Sequence, residues 1–282
     1  MYKFTVIKSF HVKKTYLVML LLAATAIAHA QAEKTKEQKK QERRVRINKM
    51  AKEEEEGTLV YSKQSAFGFK AATDGWGAFY EHGKYKTVTK TSLWWFELGE
   101  HKNHKEDKQT FLDPLGYQVG NPFIYGKINN FYFFKLGLGQ QTLIGGKGNK
   151  NGVAVSAVYG GGIGLGYLKP YYLTVPDNNT GGTKDIKYTD STAGDFTNPL
   201  NIIGSAGFTK GWGEGKLVPG AHVRAALRFD YGRYNEVLSA MEVGLNAEYY
   251  TKDMRIMLNI PNKQFFFNAY IALVFGKRKN VN

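Results

Sequence analysis

From Gly57 to Gly276 the chain alternates between apolar and polar positions with a period of two, the signature of β-strands with two unlike faces. The segment 219–231 carries Ala221, Val223, Ala225, Leu227, Phe229 and Tyr231 on one face, and His222, Arg224, Arg228 and Asp230 on the other. In 235–250, Val237, Met241, Val243, Leu245 and Tyr249 oppose Glu236, Glu242, Asn246 and Glu248. In 264–276, Phe265, Phe267, Ile271, Leu273 and Phe275 oppose Phe266, Asn268, Tyr270, Ala272 and Val274. Such runs exceed the five or six residues usual for a soluble strand. They match the roughly 9–11 residues a tilted strand needs to cross a bilayer.

Five earlier segments follow the same rule: 64–72, 76–85, 92–101, 129–141 and 153–168. The second alternates poorly and is placed by the turn Thr73-Asp74-Gly75 before it. In the last, Gly160, Gly162, Gly164 and Gly166 share a face, which suits the crowded inside of a narrow barrel. With both ends on the periplasmic side, the external connections are 73–75, 102–128, 169–218 and 251–263, and the internal ones 86–91, 142–152 and 232–234. Three of the four external connections are the longest in the chain, the asymmetry expected of a membrane barrel. The prediction is all-β: an antiparallel up-and-down transmembrane β-barrel of about eight strands. Ten strands stay open, since 202–212 has room for another hairpin.

What precedes the barrel has another character. Lys3, Lys8, Lys13 and Lys14 lead into the apolar run Leu17–Ala28, and Ala28-His29-Ala30 supplies small residues for signal cleavage. Residues 1–30 therefore read as a secretory signal peptide, with Ala28 and Ala30 marking the cleavage site. Residues 31–56 form a short charged leader, a solvated helix or a disordered tether, placed in the periplasm where it could contact an envelope protein partner. Residues 57–276 are the barrel, and 277–282 a basic C-terminal tail.

Composition refines this picture. The full chain has 39 Lys+Arg against 24 Asp+Glu. Four of the cations leave with the signal peptide, so the exported protein has no call for nucleic acid as a partner. The absence of cysteine excludes disulfides, cysteine-ligated metal, a thiol nucleophile and a lipoprotein anchor.

Exported address, bilayer-length alternation and long–short connections together make the chain resemble the small eight-stranded outer-membrane β-barrel proteins of Gram-negative bacteria. The resemblance covers about 57–276 and includes the terminal strand FFFNAYIALVF ending at Phe275. It implies an outer-membrane location, periplasmic termini, and reading of the last strand by the barrel-insertion machinery. It also implies contact with outer-membrane lipid and lipopolysaccharide, toward which the basic cluster His101–Lys108 on a predicted external loop is aimed. Trp76, Trp94, Trp95, Tyr171 and Tyr172 suit interfacial aromatic girdles.

The predicted inward face collects Lys70, Lys135, Arg224 and Arg228 with Glu81, Glu97, Asp230, Glu242 and Glu248. Confined charges must pair, because a stranded one costs several kcal/mol. The expectation is a lumen plugged by an ion-pair network, in a non-enzymatic barrel that serves as a structural or accessory subunit of a cell-envelope complex. A narrow pore or hydrophobic-ligand transporter is the alternative from the same residues. A lipid-modifying enzyme is a third, with His222 beside Glu242 or Glu248 as its candidate base and a hydrogen-bonded lumen histidine as the plainer reading. His101 and His104 could suggest metal, though a basic loop explains them, and neither a metal nor a cofactor is expected.

Overall fold

The computed structural model describes residues 61–279 apart from 88, 113–114, 148–151, 178 and 234–235, together with Glu37, Gln38, Lys40, Gln41 and Arg44 of the leader. Those five leader residues are helical and exposed. The signal peptide with its Ala28-His29-Ala30 site and the last three residues lie outside the described residues.

Eight strands close into one antiparallel barrel: β1 (Lys63–Ala72), β2 (Gly75–Thr87), β3 (Lys90–His101), β6 (Asn129–Gly145), β7 (Ala154–Pro170), β11 (Lys216–Asp230), β12 (Val237–Met254) and β13 (Lys263–Lys279). Each pairs with its sequence neighbours in the barrel, and β13 returns to β1, with Phe67 opposite Phe275. All eight predicted segments are barrel strands. A closed meander leaves no strand edge unpaired, so every ladder hydrogen bond is made within the wall.

The remaining strands belong to the connections at one end of the barrel. A hairpin of β4 (Lys108–Leu112) and β5 (Gln118–Ile124) rises between β3 and β6. Between β7 and β11, β8 (Tyr172–Asp177), β9 (Gly182–Lys187) and β10 (Gly204–Ser205) form a three-stranded sheet in the order β10-β8-β9. A short helix α1 (Ala193–Thr197) follows β9. The region 202–212 adds only β10, paired to β8, so the strand count of the barrel is eight rather than ten.

Burial along the barrel strands is inverted relative to a protein dissolved in water. On β13, Phe265, Phe267, Ile271, Leu273 and Phe275 are exposed, whereas Asn268, Tyr270, Ala272 and Val274 are buried. On β12, Met241, Val243, Leu245 and Tyr249 face out while Glu242, Asn246 and Glu248 face in. The outward band continues through Phe67, Phe69, Trp94, Leu98, Phe134, Leu136, Ile163, Val223 and Leu227. An apolar belt of this extent would drive aggregation in water and is the natural surface in hydrocarbon. The barrel therefore spans a membrane. No helix among the described residues is long and apolar enough to do so.

The strand that alternates poorly in sequence explains itself here. Inward positions of β2 are Gly77, Phe79, Glu81 and Gly83, and the outward ones include His82. Phe79 lies over Gly68 of β1, where an added Cβ would sit 2.2 Å from the ring, so an apolar residue occupies the inside. A second departure is at the C-terminus. β13 continues in register to Lys279, opposite Lys63, so 277–279 belong to the wall and are not a tail. Arg278 points inward and is held there by Asp230 at 2.7 Å and Gln64 at 3.2 Å.

Candidate functional site

Strand register decides which lumen charges meet. Arg228 on β11 stands opposite Glu242 on β12, and Glu97 on β3 opposite Lys135 on β6, so these two pairs are cross-strand neighbours. The other contacts span the lumen. Arg228 grips Glu81 of β2 with both terminal nitrogens while keeping Glu242, and Arg224 reaches Glu81 at 3.3 Å and Glu242 at 4.0 Å. Tyr270 donates to Glu242 at 2.6 Å, and Gln64 donates to Glu81 at 3.2 Å. This central group holds two guanidinium and two carboxylate charges, all essentially without solvent exposure.

Toward the loop end lies a second group. Lys70 binds Glu97 at 2.8 Å, and Lys135 binds Glu248 while standing 3.7 Å from Glu97. His101 completes it: Nε2 is 3.1 Å from Glu248 and Nδ1 is 3.0 Å from Asp74. Toward the other end, Asp230 is shared by Arg278 at 2.7 Å and Lys147 at 3.5 Å. All nine residues expected in the network are buried, and every one stands within ion-pairing distance of an opposite charge.

Trp95 fills the centre. It is fully buried, so it belongs to the lumen and not to the aromatic girdle predicted for it. The glycines make its room: a Cβ on Gly137 would fall 2.2 Å from its ring, and one on Gly160 2.8 Å. The Arg224 guanidinium lies 4.0 Å from the Trp95 ring, a cation–π contact between two buried side chains. Trp76 and Trp94 stay on the outer wall, about half exposed.

Two histidines depart from expectation. His101 is buried among Phe131, Phe133 and Phe266 with its two carboxylates, so it is not part of an exposed basic loop, whereas His104 is exposed. The two do not share a metal site, and no group of three or more metal-ligating side chains occurs among the described residues. His222 faces Glu248 in the β11–β12 register but packs edge-on against Trp95, and neither ring nitrogen has a hydrogen-bond partner. The expected hydrogen bond is absent because the Glu248 carboxylate is already taken by His101, Lys135 and Tyr250.

An apolar layer covers the loop end of the lumen. Phe131, Leu168, Val218, Tyr250, Met254, Ile256 and Met257 pack together, with the last two brought in from the β12–β13 connection. Beside it, the β8–β10 sheet has its own core of Phe123, Leu173, Val175, Ile186, Phe196 and Ile202. Ion pairs tie this sheet to the rest of its connection: Lys210 with Asp185 at 2.7 Å, and Lys187 with Glu214. The Lys210 ammonium holds the Asp185 carboxyl below the usual range, and Lys187 with the Tyr172 hydroxyl does the same for Glu214. Two clefts open between these loops, of about 400 Å³ and about 840 Å³.

A closed eight-stranded meander with an apolar outside and a charged, filled inside defines the class: a small membrane-spanning β-barrel. No protein-family model matches the chain, and no curated protein matches it in sequence. Several solved structures are similar in fold. Ail of Yersinia pestis, crystallised with the heparin analogue sucrose octasulfate, is 9% identical over 77% of this chain and 97% of its own, with a TM-score of 0.32. Neisserial surface protein A is 8% identical over 77% and 95%, with a TM-score of 0.36. The N-terminal β-barrel domain of Pseudomonas aeruginosa OprF is 9% identical over 77% and 98%, with a TM-score of 0.32.

Proposed function

We propose that the chain is a non-enzymatic β-barrel of the outer membrane of a double-membraned bacterium, a structural or accessory subunit of a cell-envelope complex whose lumen is closed by its ion-pair network. The termini and the leader 31–56 face the periplasm, and the long connections face outward among the lipopolysaccharide. The last strand serves as the address for the barrel-insertion machinery, and Ala28 and Ala30 mark the signal cleavage.

One observation carries this reading. The lumen holds Trp95 and three linked charge groups, from Asp230 at one end to His101 at the other, with an apolar layer above them. Such a filling supports a plug rather than a conduit. His222 has no hydrogen-bonded nucleophile, which argues against a lipid-modifying enzyme built on it.

Membrane separation followed by mild detergent extraction tests location and partnership together. The protein is expected in the outer-membrane fraction, released by detergent and not by salt, with heat-modifiable gel mobility. A co-purifying envelope protein lost on deletion of 31–56 is expected. Release by salt alone overturns the membrane reading, and unchanged co-purification overturns the role of the leader.

A further inference from the structure

The cleft of about 400 Å³ opens between the β3–β6 and β7–β11 connections, and Glu100, Asn130, Tyr132 and Lys169 of the barrel wall form its edge. Glu100 on β3, Tyr132 on β6 and Tyr167 on β7 are successive outward positions in register, and Asn130 and Lys169 form the next outward pair toward the loops. In the opposite direction along the same strands come Leu98, Phe134 and Leu165, all exposed members of the apolar band. The cleft thus begins where the band ends. At this boundary Trp212 stacks on Tyr132 and Tyr167, at 5.3 Å and 5.8 Å between ring centres.

Its lining is cationic. Lys102, Lys108, Lys127, Lys169 and Lys210 contribute five positive charges against the carboxylates of Glu100 and Glu106, with Lys210 also paired to Asp185 at 2.7 Å. Glu106 is taken up by Lys127 at 2.6 Å, and Glu100 accepts from the Trp76 indole at 3.2 Å and stands 3.9 Å from Lys102. Lys169 is the telling residue. It is 2% exposed, and its ammonium lies 4.6 Å from the Phe208 ring and 4.8 Å from the Trp212 ring. It donates to the Phe208 carbonyl. Lys169 forms no ion pair with a carboxylate among the described residues, and Glu100 of the same cleft acts on it from farther off. A buried ammonium has three donors and a strong need for an anion, and aromatic faces satisfy it only in part.

We propose that this cleft binds the phosphate group of an outer-leaflet amphiphile. Lys169 and Lys108 reach the phosphate, Tyr132 flanks the headgroup, and the acyl chains lie along Leu98, Phe134 and Leu165. The inference rests on the outer-membrane reading above. It adds a place, a chemistry and a residue to a contact that basicity alone leaves diffuse.

The test uses the full barrel in detergent micelles. It is titrated with phosphorylated lipid A, with the dephosphorylated form of the same lipid, and with inorganic phosphate, and retained lipid is counted by native mass spectrometry. One phosphorylated lipid is expected to be retained, with binding weaker by about tenfold or more when the phosphate is absent. Lys169→Met keeps the aliphatic stem against its rings and is expected to give a similar loss. Lys108→Gln, at an exposed position, is expected to give a smaller one, and heat-modifiable mobility reports that both variants are folded. Equal retention of the two lipid forms, or unchanged binding in both variants, overturns the proposal. Inorganic phosphate bound as tightly as the lipid overturns the lipid as its source. A heat-modifiable outer-membrane barrel that ignores the phosphate sinks only this inference. Failure to reach the outer membrane sinks the reading beneath it.

Discussion

The barrel lumen and the β8–β10 sheet are two interiors built on opposite rules by one chain. The sheet buries Leu173, Val175, Ile186, Phe196 and Ile202 and leaves its charges outside, as a water-soluble domain does. The barrel turns its Phe, Leu and Val outward and buries Arg224, Arg228, Glu81 and Glu242. What differs is the solvent beyond the wall. Where water lies outside, apolar burial drives folding. Where hydrocarbon lies outside, side chains gain little by moving inward, and polar groups take the inside because only there can they meet partners. The lumen then owes its order to pairing and to geometry rather than to hydrophobic burial.

That contrast can be broken first at Glu81. Glu81→Ala leaves Arg228 and Arg224 short of a shared counter-charge, and breaking a buried pair costs roughly 3–5 kcal/mol. The urea midpoint of the purified barrel should fall accordingly, while protease resistance of the β8–β10 sheet stays as it was. Leu173→Ala should do the reverse. It removes a fully buried side chain from the sheet at a cost of roughly 2–5 kcal/mol, opening that region to protease with the barrel still heat-modifiable.

A smaller effect is expected from packing inside the lumen. Gly137→Ala places a methyl group 2.2 Å from the Trp95 ring, so the ring or the strand must shift, at about 1–3 kcal/mol. A change in the buried tryptophan fluorescence with little loss of heat-modifiability is the expected readout. Gly146→Ala, with open space around it, should change neither.

The smallest effect is on the surface of the sheet. Asp185 is held below its ordinary carboxyl value by Lys210, so this pair stabilises β8–β9 above the unfolded value of about 4. That contribution is lost as pH falls through the lower, folded value. Amide protection in β8 and β9, taken as the exchange rate relative to the intrinsic rate at each pH, should fall on acidification in the wild type, and less so in Lys210→Met. Exposed pairs of this kind contribute little, so the change should be modest.

Most of the wall was readable because one chemical rule repeats along it. Alternation placed all eight strands within a few residues, and with them the inward side of Lys70, Glu97, Lys135 and the rest. Even Arg228–Glu242 is foreshadowed, since adjacent strands joined by a short turn have a restricted register. The pairs across the lumen were not readable. Arg228 meets Glu81 only because of the barrel's stagger, which no local pattern encodes. His101 looked like the start of a basic loop because lysines follow it, although its parity with Glu97 and Gly99 already placed it inside. Trp95 was likewise on the inward face by parity, and its match to a glycine strip on β6 and β7 is a three-dimensional fact. Of the β8–β10 sheet only the room for a hairpin at 202–212 is legible, because its strands are short and its composition resembles any polar loop.

The claim that the lumen is a closed, paired interior meets its most direct test in planar bilayers. Purified full-length barrel inserted at defined orientation should show no steady single-channel conductance over the voltages a bilayer tolerates. Steady, reproducible open channels from the wild-type protein would contradict the account, because a path for ions cannot coexist with Trp95 and the charge network seated as they are.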